Sequence, residues 1–169
     1  MDLKFNKTMK KIFLTFATAA LFSVSAFATV VGHDKTAANT ANISYTALHS
    51  FDADFTDAQD VVWTKTKDCQ KVDFTENGDK QTAFYSLSGD FLGTTHILSY
   101  NIVPARTKEL IAEKYKGYVA GDVIVYHANT AVNDNIDPVT YFVVLKKADR
   151  SALLRVTEDG DVEFFKEVK

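Results

Sequence analysis

The sequence has little that could staple a fold together and little that would break one. Among its 169 residues there are one cysteine, two prolines and seven glycines. A single cysteine excludes an internal disulfide, so the fold must rest on its core. That cysteine, Cys69, stands between Asp68 and Gln70 at an expected strand start, with no activating base beside it, and reads as a bystander thiol. The few glycines fall mostly at turns. They form no phosphate-cradling loop, and no Gly-x-Ser-x-Gly nucleophile elbow occurs. The four histidines, His33, His49, His96 and His127, are not at metal-ligand spacing. No metal site is expected from them, and His96 reads as a structural histidine on a strand. Glu158-Asp159-Gly160-Asp161 has the look of a calcium loop, but the strand resumes at Val162, before the further oxygen ligands such a loop needs. It reads as a hairpin turn. His49 and Ser50 are adjacent on an expected helix and so face apart. No catalytic residue and no cofactor are assigned, and the chain is read as not an enzyme.

What the sequence does have begins at its N-terminus. Lys4, Lys7, Lys10 and Lys11 precede an uncharged apolar stretch from Ile12 to Ala26, and Ala26-Phe27-Ala28 follows as a small-x-small site. This order of charged, apolar and small-residue regions is that of a secretory signal peptide, 1–28, with cleavage after Ala28. Ile12 to Ala28 is shorter than the roughly 20 apolar residues of a spanning helix. Stable membrane insertion after cleavage is therefore not expected. With no cysteine at the cleavage point, neither is a lipid anchor. The expected location is the periplasm or the extracellular space.

Signal removal changes the charge. The whole chain has 19 basic and 22 acidic residues. Four lysines and Asp2 lie in 1–28, which leaves 15 basic and 21 acidic residues and a formal net charge of −6. Nucleic acid as a partner is excluded on this ground, because phosphates demand a basic patch. The acidic surplus itself serves solubility. A chain of this length buries about two-thirds of its unfolded surface, enough for a core without disulfides.

Residues 29–43 are rich in Ala, Thr and Asn and read as a flexible leader. Ser44 is a helix cap, and Tyr45, Leu48, Phe51 and Phe55 recur at helical spacing. Four strand signals follow: Val61 to Thr64, the alternating run around Val72 and Phe74, the run around Ala83, Tyr85 and Leu87, and Phe91 to Tyr100. Asn77-Gly78 marks the hairpin between the second and third. Pro104 opens a second helix and Gly117 ends it. Four more strands follow, from Val119, Val139, Ala152 and Val162. Set 71 residues apart without a gap, Val72 falls on Val143, Phe74 on Leu145, Ala83 on Leu154, Tyr85 on Val156, and Gly89-Asp90 on Gly160-Asp161. Upstream the offset is 60, from Phe55 to Tyr115, and the difference falls in the polar stretch from Ala128 to Pro138. The expected fold class is therefore α+β, a tandem duplicated unit in which each copy is a helix followed by a four-stranded antiparallel sheet. The copies span 44–101 and 102–169 and form one compact domain.

Phe51, Phe55, Ala58, Val61 and Trp63, in the run from Phe51 to Trp63, resemble the opening of the secreted PepSY-like or β-lactamase-inhibitor-like proteins of Bacteroidota. So do the Gly-Asp turns and the Pro-started second helix leading to Gly117-Tyr118. The resemblance runs from about Ala47 to Val168. It departs from the family pattern at Thr56-Asp57-Ala58, where a proline often precedes the alanine. It implies a tandem α+β fold with helices on one face of the sheet, and non-catalytic protein binding or inhibition outside the cytoplasm.

Strand alternation nominates a surface for such a partner. If Val72 and Phe74 face the helices, Lys71 and Asp73 face out, and Phe84 lies away from Ala83 and Tyr85. In the second copy Phe142 and Val144 point outward near Arg155. Aromatics and arginine are what protein-binding surfaces favour. The expectation is that Lys71, Asp73, Phe84, Phe142, Val144 and Arg155 form an exposed protein-binding face for an extracytoplasmic protein partner. A structural or envelope-stress role and an uncharacterised periplasmic enzyme remain the alternatives.

Overall fold

The structure is a computed structural model that describes residues 40–132, 137–148, 150–157 and 159–168. The expected signal peptide, most of the expected leader and Glu158 lie outside the described residues. Among the described residues no helix is long and apolar enough to cross a membrane.

The element order is helix α1 (Tyr45–Asp54), strands β1 (Gln59–Lys65), β2 (Gln70–Glu76), β3 (Asp79–Tyr85) and β4 (Phe91–Leu98), helix α2 (Ala105–Lys114), and strands β5 (Val119–Ala128), β6 (Val139–Lys147), β7 (Arg150–Val156) and β8 (Val162–Val168). The expected alternation of one helix and four strands is present twice. The expected pair of four-stranded sheets is not. The eight strands form one antiparallel sheet in the order β1 to β8. β4 and β5 are paired from Gly93↔Ala128 to Leu98↔Val123. Two separate sheets would each have left an edge of unpaired N–H and C=O groups at this point. Pairing β4 with β5 satisfies both, and α2 carries the chain between them.

Local chemistry explains the elements. The Ser44 hydroxyl accepts from the Ala47 amide at the start of α1. Asn77 and Gly78 both have positive φ, as a tight hairpin of this type requires. Pro104 occupies the N-cap position of α2, just before the first helical residue. Within the stretch expected as leader, Thr40–Asn42 form a 3-10 turn and Ile43 is buried in the core.

Both helices lie on one face of the sheet. Ala47 and Phe51 of α1 pack with Trp63, Val72, Phe74, Ala83 and Tyr85. Ile111 of α2 packs with Val123, Val125, Val143, Leu145, Ala152, Leu154 and Val162. Ala83 pairs with Thr94, so Thr94, His96 and Leu98 share its face. Leu98 packs against the α2 cluster, which fixes the two clusters on the same side. Among the described residues the opposite face carries no helix.

Candidate functional site

Register and alternation put Lys71, Asp73, Phe84, Phe142, Val144 and Arg155 on the helix-free face. Lys71 pairs with Phe84, and Phe84 with Gly93. Further along the sheet, Ile97 pairs with Ile124, Ile124 with Phe142, Phe142 with Arg155, and Arg155 with Glu163.

The exposure expected of these residues is not what the structure shows. Phe84 is 1% exposed and Phe142 2%. They lie in a third cluster with Cys69, Ile124, Tyr126 and Leu153, packed around by Leu92, Ala128, Val144, Phe165 and Val168. The rings of Phe142 and Phe165 are 4.8 Å apart. Joining the two halves into one sheet is the physical reason. Twist along eight strands draws side chains from β3, β5, β6 and β7 toward one another, and the large apolar groups leave water together. Phe84 and Phe142 are thus the floor of this face and not its contact surface.

Lys71 corrects the expectation in the same way. It is 3% exposed, its ammonium 3.1 Å from Asp73 Oδ2. Thr82 Oγ1 donates to Asp73 Oδ1 at 2.6 Å. A buried ammonium without a carboxylate would be costly, and Asp73 and Thr82 hold it in place. Arg155 is half-buried and paired with Asp137 from the β5–β6 connection, while its Nε is buried with no hydrogen-bond partner among the described residues. These titratable groups are engaged with one another and not arranged around a reacting atom. Cys69 is buried, and burial pushes its thiol pKa up, away from thiolate chemistry. Among the described residues no group of three or more His, Cys, Asp and Glu side chains is placed to hold a metal ion.

Among the residues this face does expose, beside Thr64, Lys80 and Lys146, are aliphatic ones. Ile97 is 66% exposed and Val119 71%, and Val62 is also exposed. Val62 pairs with Asp73, and Val119 with Lys146, which pairs with Ser151, so all three stand on the helix-free side. Two further residues shape the face without being foreseen. Tyr126 lies in the floor and its hydroxyl donates to the Leu92 carbonyl at 2.9 Å. Gly93 allows β5 to approach this closely: a Cβ there would collide first with the His127 backbone carbonyl and then come within 2.9 Å of Tyr126 Cε2. The alternation of β5 could have placed Tyr126. Nothing local distinguishes Gly93 from a turn glycine.

No protein-family model matches the chain, and no curated protein is significantly similar to it. Solved structures are similar in fold. A BLIP-like protein from Bacteroides fragilis is 17% identical, with a TM-score of 0.56 over 75% of this chain and 86% of that one. A proposed periplasmic protein from Bacteroides eggerthii is 13% identical, with a TM-score of 0.58 over 75% and 88%. A DUF2874 family protein from Bacteroides ovatus is 14% identical, with a TM-score of 0.57 over 75% and 86%. The class defined by the architecture is therefore an α+β protein with the fold of these BLIP-like and DUF2874 proteins. At such identities the likeness is one of fold.

Proposed function

We propose that this protein is an exported, non-catalytic binding module that docks a protein partner on the helix-free face of its sheet. The observation that carries the reading is the exposed aliphatic set Ile97, Val119 and Val62 on a face with a consolidated aromatic floor. Exposed aliphatics rarely need explanation singly. Standing on one face, they are apolar groups of the kind that protein interfaces bury. The residues first nominated for contact act in this reading as support. Phe84 and Phe142 stiffen the floor, Lys71 with Asp73 and Arg155 with Asp137 border it, and Val144 is half-buried between them. The N-terminal signal pattern in 1–28 and the fold shared with a proposed periplasmic protein support action outside the cytoplasm. The fold shared with a BLIP-like protein supports an inhibitor-like mode of binding. A PepSY-like affiliation rests on the motif from Phe51 to Trp63.

The same reading takes the two halves, 44–101 and 102–169, as copies of one unit. Buried residues coincide at an offset of 60 in Ile43 and Val103, Ala47 and Thr107, Phe51 and Ile111, and Trp63 and Val123. They coincide at 71 in Val72 and Val143, Phe74 and Leu145, and Ala83 and Leu154. The β2–β3 pair Val72↔Ala83 has its counterpart in Val143↔Leu154. The turns correspond as well. The Ser86 amide donates to the Asp90 carbonyl at 2.8 Å and the Thr157 amide to the Asp161 carbonyl at 2.9 Å. Gly89 abuts the first turn of α1, and Gly160 abuts Thr107 of α2.

Affinity capture from periplasmic extract tests the function with three forms of the exported protein: the parent, Ile97→Asp on the helix-free face and Tyr45→Asp on α1. Tyr45 is 79% exposed. A desolvated charge at the centre of an interface costs about 2 kcal/mol or more, so Ile97→Asp is expected to reduce recovery of the partner at least about tenfold. Tyr45→Asp is expected to leave it unchanged. Equal recovery by parent and Ile97→Asp, or no partner at all, overturns the reading.

A further inference from the structure

His96 of β4 and His127 of β5 are 31 residues apart in sequence and carry no motif, yet their rings stack. The centroids are 5.1 Å apart and the planes differ by 14°. Both side chains lie on the helix-covered side, at the β4–β5 pairing that joins the first four strands to the last four. His96 pairs directly with Val125, and Thr94 with His127. Near-parallel planes keep the in-plane nitrogen lone pairs from converging on one ion, so the arrangement does not favour metal chelation. It suits two neutral imidazoles and penalises two charged ones. Like charges about 5 Å apart repel one another.

We propose that His96 and His127 form a pH-sensing clasp at the middle of the sheet, in which protonation of both rings loosens the β4–β5 pairing and with it the contact between the two halves. The charges that act on His96 are His127 from β5, which disfavours its protonation, and Asp79 from β3, which favours it. Gln81 of β3 pairs with His96 and is uncharged. From β6, Tyr141 stands beside Val125 on the same face. Among the described residues neither helix contributes a charge to it. Burial is the largest influence and, with His127, outweighs Asp79, so the His96 pKa lies below the ordinary histidine value.

The sign of the pH dependence follows. A histidine whose folded pKa is depressed binds its proton more readily when unfolded. The stability it protects is fully present above about pH 6.5, the ordinary histidine value. It is lost as pH falls through that value toward the folded pKa. Each unit of depression corresponds to about a tenfold change in the opening equilibrium.

Histidine-ring NMR titration and amide hydrogen exchange on the exported protein test the clasp. In the parent, His96 is expected to titrate below about 6.5, and its midpoint is expected to rise in His127→Gln. Once intrinsic exchange rates are corrected for, amides of β4 and β5 are expected to lose protection between pH 7.5 and 5, about tenfold per unit of depression, while those of the β2–β3 hairpin keep theirs. His127→Gln, an exposed position, is expected to reduce the selective loss, because burial still depresses His96. A His96 midpoint at or above the ordinary value overturns the proposal. So does an acid response equal in parent and variant, or one spread evenly over all eight strands. None of these readouts involves a partner, so the clasp and the docking face fail separately.

Discussion

Gln70 illustrates how much one side chain can hold. It is fully buried in β2. Its amide nitrogen donates to the Ser44 hydroxyl at 3.0 Å and to the Ser86 carbonyl at 2.8 Å, and its oxygen accepts from the Ser44 amide at 2.6 Å. One side chain thus ties the start of α1 and the turn after β3 to the sheet. At about 1 kcal/mol per hydrogen bond, plus the penalty of the polar groups left buried, Gln70→Ala is expected to cost about 3 kcal/mol or more, read as a lower urea midpoint with the slope unchanged. Alternation puts Gln70 on the same face as Val72, so its inward position was legible in the sequence. Its partners, 26 and 16 residues away, were not. Phe84 and Phe142 show the same divide. Their face could be deduced from period two, whereas their burial depends on which strands lie across that face.

Among the elements, β4 is the one whose sequence conceals its role. Hairpin β2–β3 is announced by alternation and Asn77-Gly78, and α1 by its cap and spacing. β4 and β5 are separated by a helix, and no local signal says that they pair. Gly93 sits in that junction with positive φ, under the Tyr126 ring. Gly93→Ala brings both a strained backbone, about 1–3 kcal/mol, and overpacking of similar size. A loss of about 2–5 kcal/mol in denaturant unfolding is expected. Gly78→Ala is the control, because a Cβ there meets nothing within 4 Å and only the positive φ is penalised. Equal losses at the two glycines would contradict the close approach of the β5 backbone and Tyr126 to Gly93.

On the scale of the whole molecule, the single sheet changes what the proposed repeat would mean. Two independent copies would unfold independently. Here the floor of the helix-free face takes Phe84 from the first half and Ile124, Tyr126, Phe142 and Leu153 from the second. At neutral pH the described body is expected to unfold in one transition, with fluorescence of Trp63 in the first half and backbone circular dichroism coinciding. Separate transitions would indicate that the halves are only tethered. Fold class, helix count, strand count and the position of the long connection were all within reach of the sequence. The one-sheet topology was not, and it is also what buried the aromatics first taken for contacts.

The claim that the helix-free face meets a partner is tested most directly by covalent footprinting of the protein, free and in periplasmic extract. Protection concentrated at Ile97, Val119 and Val62, with Tyr45 and Leu87 labelled equally in both states, is the predicted result. Protection of the helices with Ile97 and Val119 still labelled would contradict it.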